Sequence, residues 1–190
     1  QITKGSASVV NGFESLTGQI NVEYFKPEDS SDKIKLNLYA SLIGKLEKNL
    51  ILTKHYDKWS SNLFTHVSYF DKEIDHHGIS LNSSEKGDGF IDMPKFKQFN
   101  ILNRWQYNGS NKLKYQINFR GVFEERLAGQ ITSIDNPYKA DINNNILQVY
   151  GNLGYISDTA KSIGSQYSFT SHKLGAGFGN NKYDATQESI

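Results

Sequence analysis

Residues 113 to 120 alternate strictly, with Leu113, Tyr115, Ile117 and Phe119 on one side and Lys114, Gln116, Asn118 and Arg120 on the other. A period of two predicts a β-strand whose faces meet different surroundings. The same pattern recurs along the chain from residue 33 onward. "KIKLNLYASLIG" puts Ile34, Leu36, Leu38, Ala40 and Leu42 together, and the less regular "EKNLILTKHYD" aligns Leu50, Leu52 and Tyr56. "WSSNLFTHVSYF" aligns Trp59, Leu63, Thr65, Val67 and Tyr69, and "KQFNILNRWQY" aligns Phe99, Ile101, Trp105 and Tyr107. The strand that begins at Leu113 reads as extended to Leu127. "ILQVYGNLGYI" carries Leu147, Val149, Leu153 and Tyr155, and "SQYSFTSHKLG" carries Tyr167 and Phe169. The expectation is an all-β antiparallel meander of about seven strands.

The connections alternate in length. "DK", "NGSN" and "SDTAKSIG" are short, whereas Asp71 to about Pro94, Ala128 to Asn144 and a polar run over Ala176 to Gln187 read as long loops. Short and long connections on opposite ends of a sheet are the asymmetry of outer-membrane barrels. The aromatic residues follow the same division. Tyr56 and Trp59 flank the first short turn, Trp105, Tyr107 and Tyr115 the second, and Tyr155 and Tyr167 the third. Rings with an apolar body and a polar tip favour the level of lipid headgroups, so this reads as one interfacial girdle. The apolar faces, including Leu113, Ile117, Phe119, Leu147, Val149 and Leu153, are then expected to meet lipid, and the polar faces a lumen.

Composition narrows the function classes. With 21 Lys and Arg against 20 Asp and Glu in 190 residues, and no basic block, the chain carries no electrostatic footprint for nucleic acid. Tyr and Phe number 11 each and Pro only 3, a mix that favours strands. There is no cysteine, which excludes disulfides, thiolate metal sites and cysteine nucleophiles. No run of about 18 apolar residues exists, so no helix is expected to span a membrane. A mean hydropathy of −0.57 is nonetheless compatible with a barrel, where only every second residue is apolar.

The opening stretch departs from the meander. "KGSASVVNGFESLTGQINVEYFKP", residues 4 to 27, is rich in Gly and Ser and ends in the short strand pattern "GQINVEY", which reads as a tight loop followed by a strand in a different sheet. It resembles the end of the plug domain of TonB-dependent outer-membrane receptors of the Bacteroidetes type, through Lys4, Gly5, Ala7, Asn11, Gly12, Gly18, Gln19 and Asn21. "DGFIDMP" at 88 to 94 and "FNILNRWQY" at 99 to 107 are similar to that family's first long loop and the strand after it. The resemblance covers nearly the whole chain in order. It implies an internal fragment: residues 1–27 as the C-terminal end of a plug and 28–190 as the N-terminal part of a transmembrane β-barrel of about 22 strands.

The resemblance further implies a bacterial outer-membrane location, lipid as surroundings, and active import of a scarce nutrient: a siderophore, a cobalamin, a metal chelate, a glycan or a peptide. Energy coupling to the TonB complex would run through segments outside this chain, and a surface lipoprotein is a further expected partner. The alternative from another class is a soluble, secreted β-sandwich that binds carbohydrate, with Trp and Tyr as stacking platforms. A passive porin-like channel would keep the barrel and leave the plug-like start without a reason.

Candidate chemistry is sparse. Asp75, His76 and His77 form the one ligand-like cluster, suited in residue type to a transition metal, but a solvated loop is the preferred reading and no metal is expected. "SSEKGDGFID" departs from a calcium loop by placing Lys86 and Lys95 at ligand positions. His55, His66, His76, His77 and His172 are dispersed, Glu124 and Glu125 are adjacent and so on opposite faces, and no Gly-x-Ser-x-Gly elbow is present. No enzyme activity and no cofactor are expected.

Overall fold

The computed structural model describes residues 2–4, 18–20, 33–76, 87–158 and 161–190. Among these the fold is all-β. Ile2–Lys4 (β1) pairs antiparallel with Gly18–Ile20 (β2) in a two-stranded sheet of its own. This matches the expectation that the Gly-Gln-Ile stretch belongs to a separate sheet. Of the plug-like motif, Gly5, Ala7, Asn11, Gly12 and Asn21 lie outside the described residues, as does His77.

The remaining strands form one eight-stranded antiparallel sheet in simple sequence order: Lys33–Ala40 (β3), Leu46–His55 (β4), Trp59–Phe70 (β5), Lys95–Tyr107 (β6), Leu113–Gly129 (β7), Lys139–Asp158 (β8), Lys161–Phe178 (β9) and Asn181–Ser189 (β10). Each strand pairs with its sequence neighbours, which is the meander that the short turns dictate. Of these strands, β3 and β10 are the edges, and every described side chain of both is exposed.

Three boundaries differ from the sequence expectation. The first strand stops at Ala40, so Leu42 lies in a turn and not on the strand face. Gly44 adopts a φ of 95°, its N–H donates to the Ser41 carbonyl at 2.9 Å, and Lys45 N donates to Ser41 Oγ at 3.1 Å, which closes that turn. The connection between β7 and β8 shrinks to residues 130–138, because Ala128 and residues 139–144 are paired in the sheet. Finally, Ala176 to Gln187 is not a loop. Gly179, at φ 59°, and Asn180 form a two-residue hairpin, and residues 181–189 make an eighth strand.

The connections still sort by end. The connections β4–β5, β6–β7 and β8–β9 lie at one end; β3–β4, β5–β6, β7–β8 and the tight 179–180 hairpin between β9 and β10 lie at the other. The strands β7, β8 and β9, with 17, 20 and 18 residues, are the longest of the sheet, and at this second end β7 continues to Gly129 where β6 starts at Lys95 opposite Leu127.

Register shows that the alternation is coherent across the whole sheet. One cross-strand row runs Ile34, Leu52, Leu63, Asn103, Phe119, Val149, Phe169, and the next Leu36, Leu50, Thr65, Ile101, Gly121, Leu147, Ser171. On the reverse face the corresponding rows are Ile51, Phe64, Leu102, Arg120, Gln148, Thr170 and Asn49, His66, Asn100, Val122, Ile146, His172. Burial inverts the usual soluble arrangement. Among the described residues Phe70 and Leu102 are the buried large hydrophobics, while Thr53, Ser60, Ser61, Asn62, Ser68, Arg104 and Asn118 are buried polar residues. All of these except Ser61 belong to the reverse, polar face, which is therefore the more enclosed one. The apolar face stays open: Ile34 is 77% exposed, Leu147 54% and Phe119 45%.

Candidate functional site

Three regions gather the side chains with a capacity to act: the apolar face and its aromatic border, the polar face, and the paired loops at the long end.

On the apolar face, the aromatic residues converge at the short-turn end. Trp59 stands in register with Tyr107, and Tyr107 with Tyr115. Trp59 meets Tyr107 and Tyr115 edge-on at centroid distances of 5.1 and 6.1 Å, and Tyr56 stacks on Trp105 at 5.7 Å. Trp105 Nε1 donates to Asn103 Oδ1, and the hydroxyls of Tyr115 and Tyr167 share a hydrogen bond of 3.0 Å. Tyr167 reaches that position because its register partner is Gly151. A Cβ there would come within 2.5 Å of the Tyr167 hydroxyl and 2.2 Å of the Gln116 carbonyl. Tyr155 stands at the same end, exposed and in register with Leu113 and Ile163.

Beyond this border the apolar positions continue to the row Val67, Phe99, Phe123, and the next row is Tyr69, Lys97, Glu125, Asn143. From border to border the band spans residues 59 to 67, 99 to 107 and 115 to 123, nine on each strand. Six residues expected to share an environment, Leu113, Ile117, Phe119, Leu147, Val149 and Leu153, do fall on this face, and Leu113, Phe119, Leu147 and Leu153 are exposed.

The polar face is knitted by hydrogen bonds between strands. Arg104 Nε donates to Asn118 Oδ1 at 3.0 Å, and Asn118 Nδ2 donates to the Tyr150 carbonyl at 3.2 Å, so a fully buried Asn is satisfied on both sides. His66 donates through Nδ1 to Asn49 Oδ1 at 2.7 Å, and the His172 ring is bonded through Nε2 to Asn144 Oδ1 at 2.7 Å. His66 and His172 thus each have an amide partner on a neighbouring strand. Glu124 is held by Arg126 on this face while Glu125 points to the other, as adjacency on a strand requires. A cleft of about 570 Å³ opens between β4 and β8, bordered by Asn49, His66, Gln98, Asn100, Arg120 and Tyr150.

At the long end, the 71–94 and 130–138 loops are tied to one another. Phe90 and Gln130 form an antiparallel bridge, flanked by bonds from Ile91 N to Gly129 O at 2.9 Å and from Ile131 N to Gly89 O at 3.0 Å. Glu73 is the centre of the tie. One of its oxygens accepts from Lys95 Nζ at 2.8 Å, and the other from Thr132 N at 3.0 Å and Thr132 Oγ1 at 2.9 Å. The Lys95 ammonium first, and then the Thr132 amide and hydroxyl, pull the Glu73 carboxyl down to about 2. Asp75 does not turn towards His76; its Oδ2 accepts from Gly89 N at 3.0 Å, and its carboxylate lies against Gly87, where a Cβ would collide at 1.9 Å. The His76 amide in turn donates to Asp92 Oδ2 at 2.8 Å. These acids shape loops, and among the described residues no group of three or more His, Asp or Glu is arranged to hold a metal.

Comparison with protein-family models, with curated proteins and with solved structures found no match to this chain.

Proposed function

We propose that this chain is part of a TonB-dependent outer-membrane receptor, in which the eight-stranded sheet is a segment of the barrel wall and residues 1–27 are the end of the plug. The observation that carries the reading is the inversion of the sheet: an exposed apolar face, an enclosed polar one, and a nine-residue band bordered by aromatics on one side and charges on the other. About 9 to 11 residues of tilted strand cross a bilayer, and a lumen-facing surface is polar because water and a plug satisfy it. The long strands β7 to β9 then project beyond the band into the medium, carrying the tied loops.

The role that follows is energy-coupled import of a scarce nutrient, a siderophore, a cobalamin, a metal chelate, a glycan or a peptide, with the TonB complex engaged through other segments and a surface lipoprotein as a further partner. The soluble carbohydrate-binding reading fits the aromatics less well. Tyr56 and Trp105 cover one another's faces, and Trp59 is hemmed by two tyrosines, so the rings are not laid out as open stacking platforms.

Mass spectrometry of purified outer membranes, using peptides of this chain, tests the proposal. A polypeptide several times larger than 21.5 kDa that co-purifies with detergent micelles is the expected result. A soluble species near that mass would overturn it and move the case to a secreted binding module.

A further inference from the structure

We infer that the lipid contact of this sheet is an oblique belt, which drops towards the short-turn end by about one residue per strand from β3 to β9, so that side chains sharing a cross-strand row stand at different depths in the bilayer. The inference rests on the transport reading for the presence of lipid and adds which residues the hydrocarbon covers.

On the apolar face, each strand's share of the belt is the run that no charged residue interrupts, from its first to its last apolar or aromatic side chain. On β5 to β9 these runs are 59–69, 99–107, 113–123, 147–155 and 163–169, with midpoints at positions 64, 103, 118, 151 and 166. Phe64 pairs with Leu102, Asn103 with Phe119, Asn118 with Tyr150 and Gly151 with Tyr167. Each midpoint therefore lies one residue nearer the short-turn end than the partner of the midpoint before it. The runs on β3 and β4, 34–40 and 50–52, have midpoints at 37 and 51; Asn37 pairs with Asn49, and Ile51 with Phe64. These add a step of two residues in the same direction and a step of none, so the belt drops six residues over six steps. One residue of about 3.3 Å per interstrand spacing of about 4.8 Å is an angle of roughly 35°, the tilt at which barrel strands cross a membrane. A flat slab of hydrocarbon cuts tilted strands along that oblique line, and a run of about nine residues then gives roughly 25 Å of height. A partner protein would have no reason to follow it.

Two further observations fit the belt. Asn103 stands at its midpoint on β6, and its amide is satisfied within the sheet: Nδ2 donates to Ser61 Oγ at 3.2 Å and to the Asn62 carbonyl at 3.3 Å, and Oδ1 accepts from Trp105. Hydrocarbon offers a polar group no other partner. On β10 the residues that continue the apolar face are Lys182, Asp184, Thr186 and Glu188, all exposed. A belt that followed the rows would put Glu188 in hydrocarbon beside Leu36 and Leu147. In the oblique belt one more step carries the β10 midpoint past Ser189, and all four polar residues stand in the medium on the long-loop side.

The test places a nitroxide label, through single cysteine substitutions, on two rows of the intact polypeptide reconstituted in phosphatidylcholine vesicles; this chain contributes no native cysteine. Depth is read from accessibility to molecular oxygen and to a water-soluble nickel chelate. Phe119→Cys is expected roughly 5 Å deeper than its row-mates Ile34→Cys and Phe169→Cys, and Leu36→Cys roughly 8 Å deeper than Leu147→Cys, from the rise per residue and the tilt. Glu188→Cys should be open to nickel. Equal depths within each row, or a label at position 188 shielded from nickel, would overturn the oblique belt and leave lipid contact standing. Labels open to nickel at all six positions would fail the transport reading and the belt with it. Labels closed to both probes would put another protein on this face and overturn the belt as well.

Discussion

Single residues decide which face of each strand the surroundings can accept. Phe119 is 45% exposed in the middle of the apolar band. If that band meets hydrocarbon, Phe119→Arg should cost about 2–4 kcal/mol, the depth-dependent penalty for a cation on a lipid face, read from folding equilibria of the intact protein into vesicles. In a water-facing sheet the same change would be nearly neutral. Asn118 gives the opposite test. Asn118→Leu removes both the acceptor for Arg104 and the donor to Tyr150, and should cost about 1–3 kcal/mol although it adds hydrophobicity. Gly151→Ala is expected to displace Tyr167 and break its bond to Tyr115, at about 1–3 kcal/mol, measurable as a lower melting temperature. The alternation around Asn118 was legible in the sequence, but its pairing with Arg104 was not, because register between β6 and β7 fixes which polar residues face one another.

At the scale of elements, the tie between the 71–94 and 130–138 loops depends on one carboxylate. Glu73 has its folded-state pKa depressed to about 2 from an ordinary value of 4.5. The sign follows directly: the contribution of this tie is fully present above pH 4.5 and is lost as pH falls towards 2. Hydrogen exchange of the Thr132 amide, corrected for its intrinsic rate, should therefore be protected at neutral pH and lose protection on acidification through that window. Glu73→Gln should give the unprotected pattern at neutral pH already. Unchanged protection in that variant would mean that the Phe90–Gln130 bridge alone holds the loops. The sequence marked both loops as long and polar, yet Glu73 and Thr132 are 59 residues apart and only the antiparallel order of β5 to β8 brings them together. The eighth strand was missed because β10 lacks an apolar alternation. Its signal was the Gly-Asn pair at 179 and 180, a hairpin turn by chemistry rather than by hydrophobic pattern.

For the whole molecule, the sheet among the described residues has two edge strands, β3 and β10, whose described side chains are all exposed and whose outer backbone groups no described strand pairs. Residues 1–190 expressed alone should aggregate in the absence of detergent, as size-exclusion chromatography would show; a monodisperse soluble monomer would argue that the apolar face needs neither lipid nor further strands. A barrel removes the edges by closure and gives the apolar face hydrocarbon to meet, so both liabilities have one remedy.

The amino-acid order by itself determined the strands and their faces, since a period of two in Leu113, Tyr115, Ile117 and Phe119 leaves few other conformations, and turn lengths alone dictated a meander. It determined as well that the aromatics would gather at the short-turn end. What only the tertiary structure decided is which residues share a row. Arg104 lies beside Asn118 because strand register, set by backbone pairing across β6 and β7, is a property of two segments at once and is written in neither.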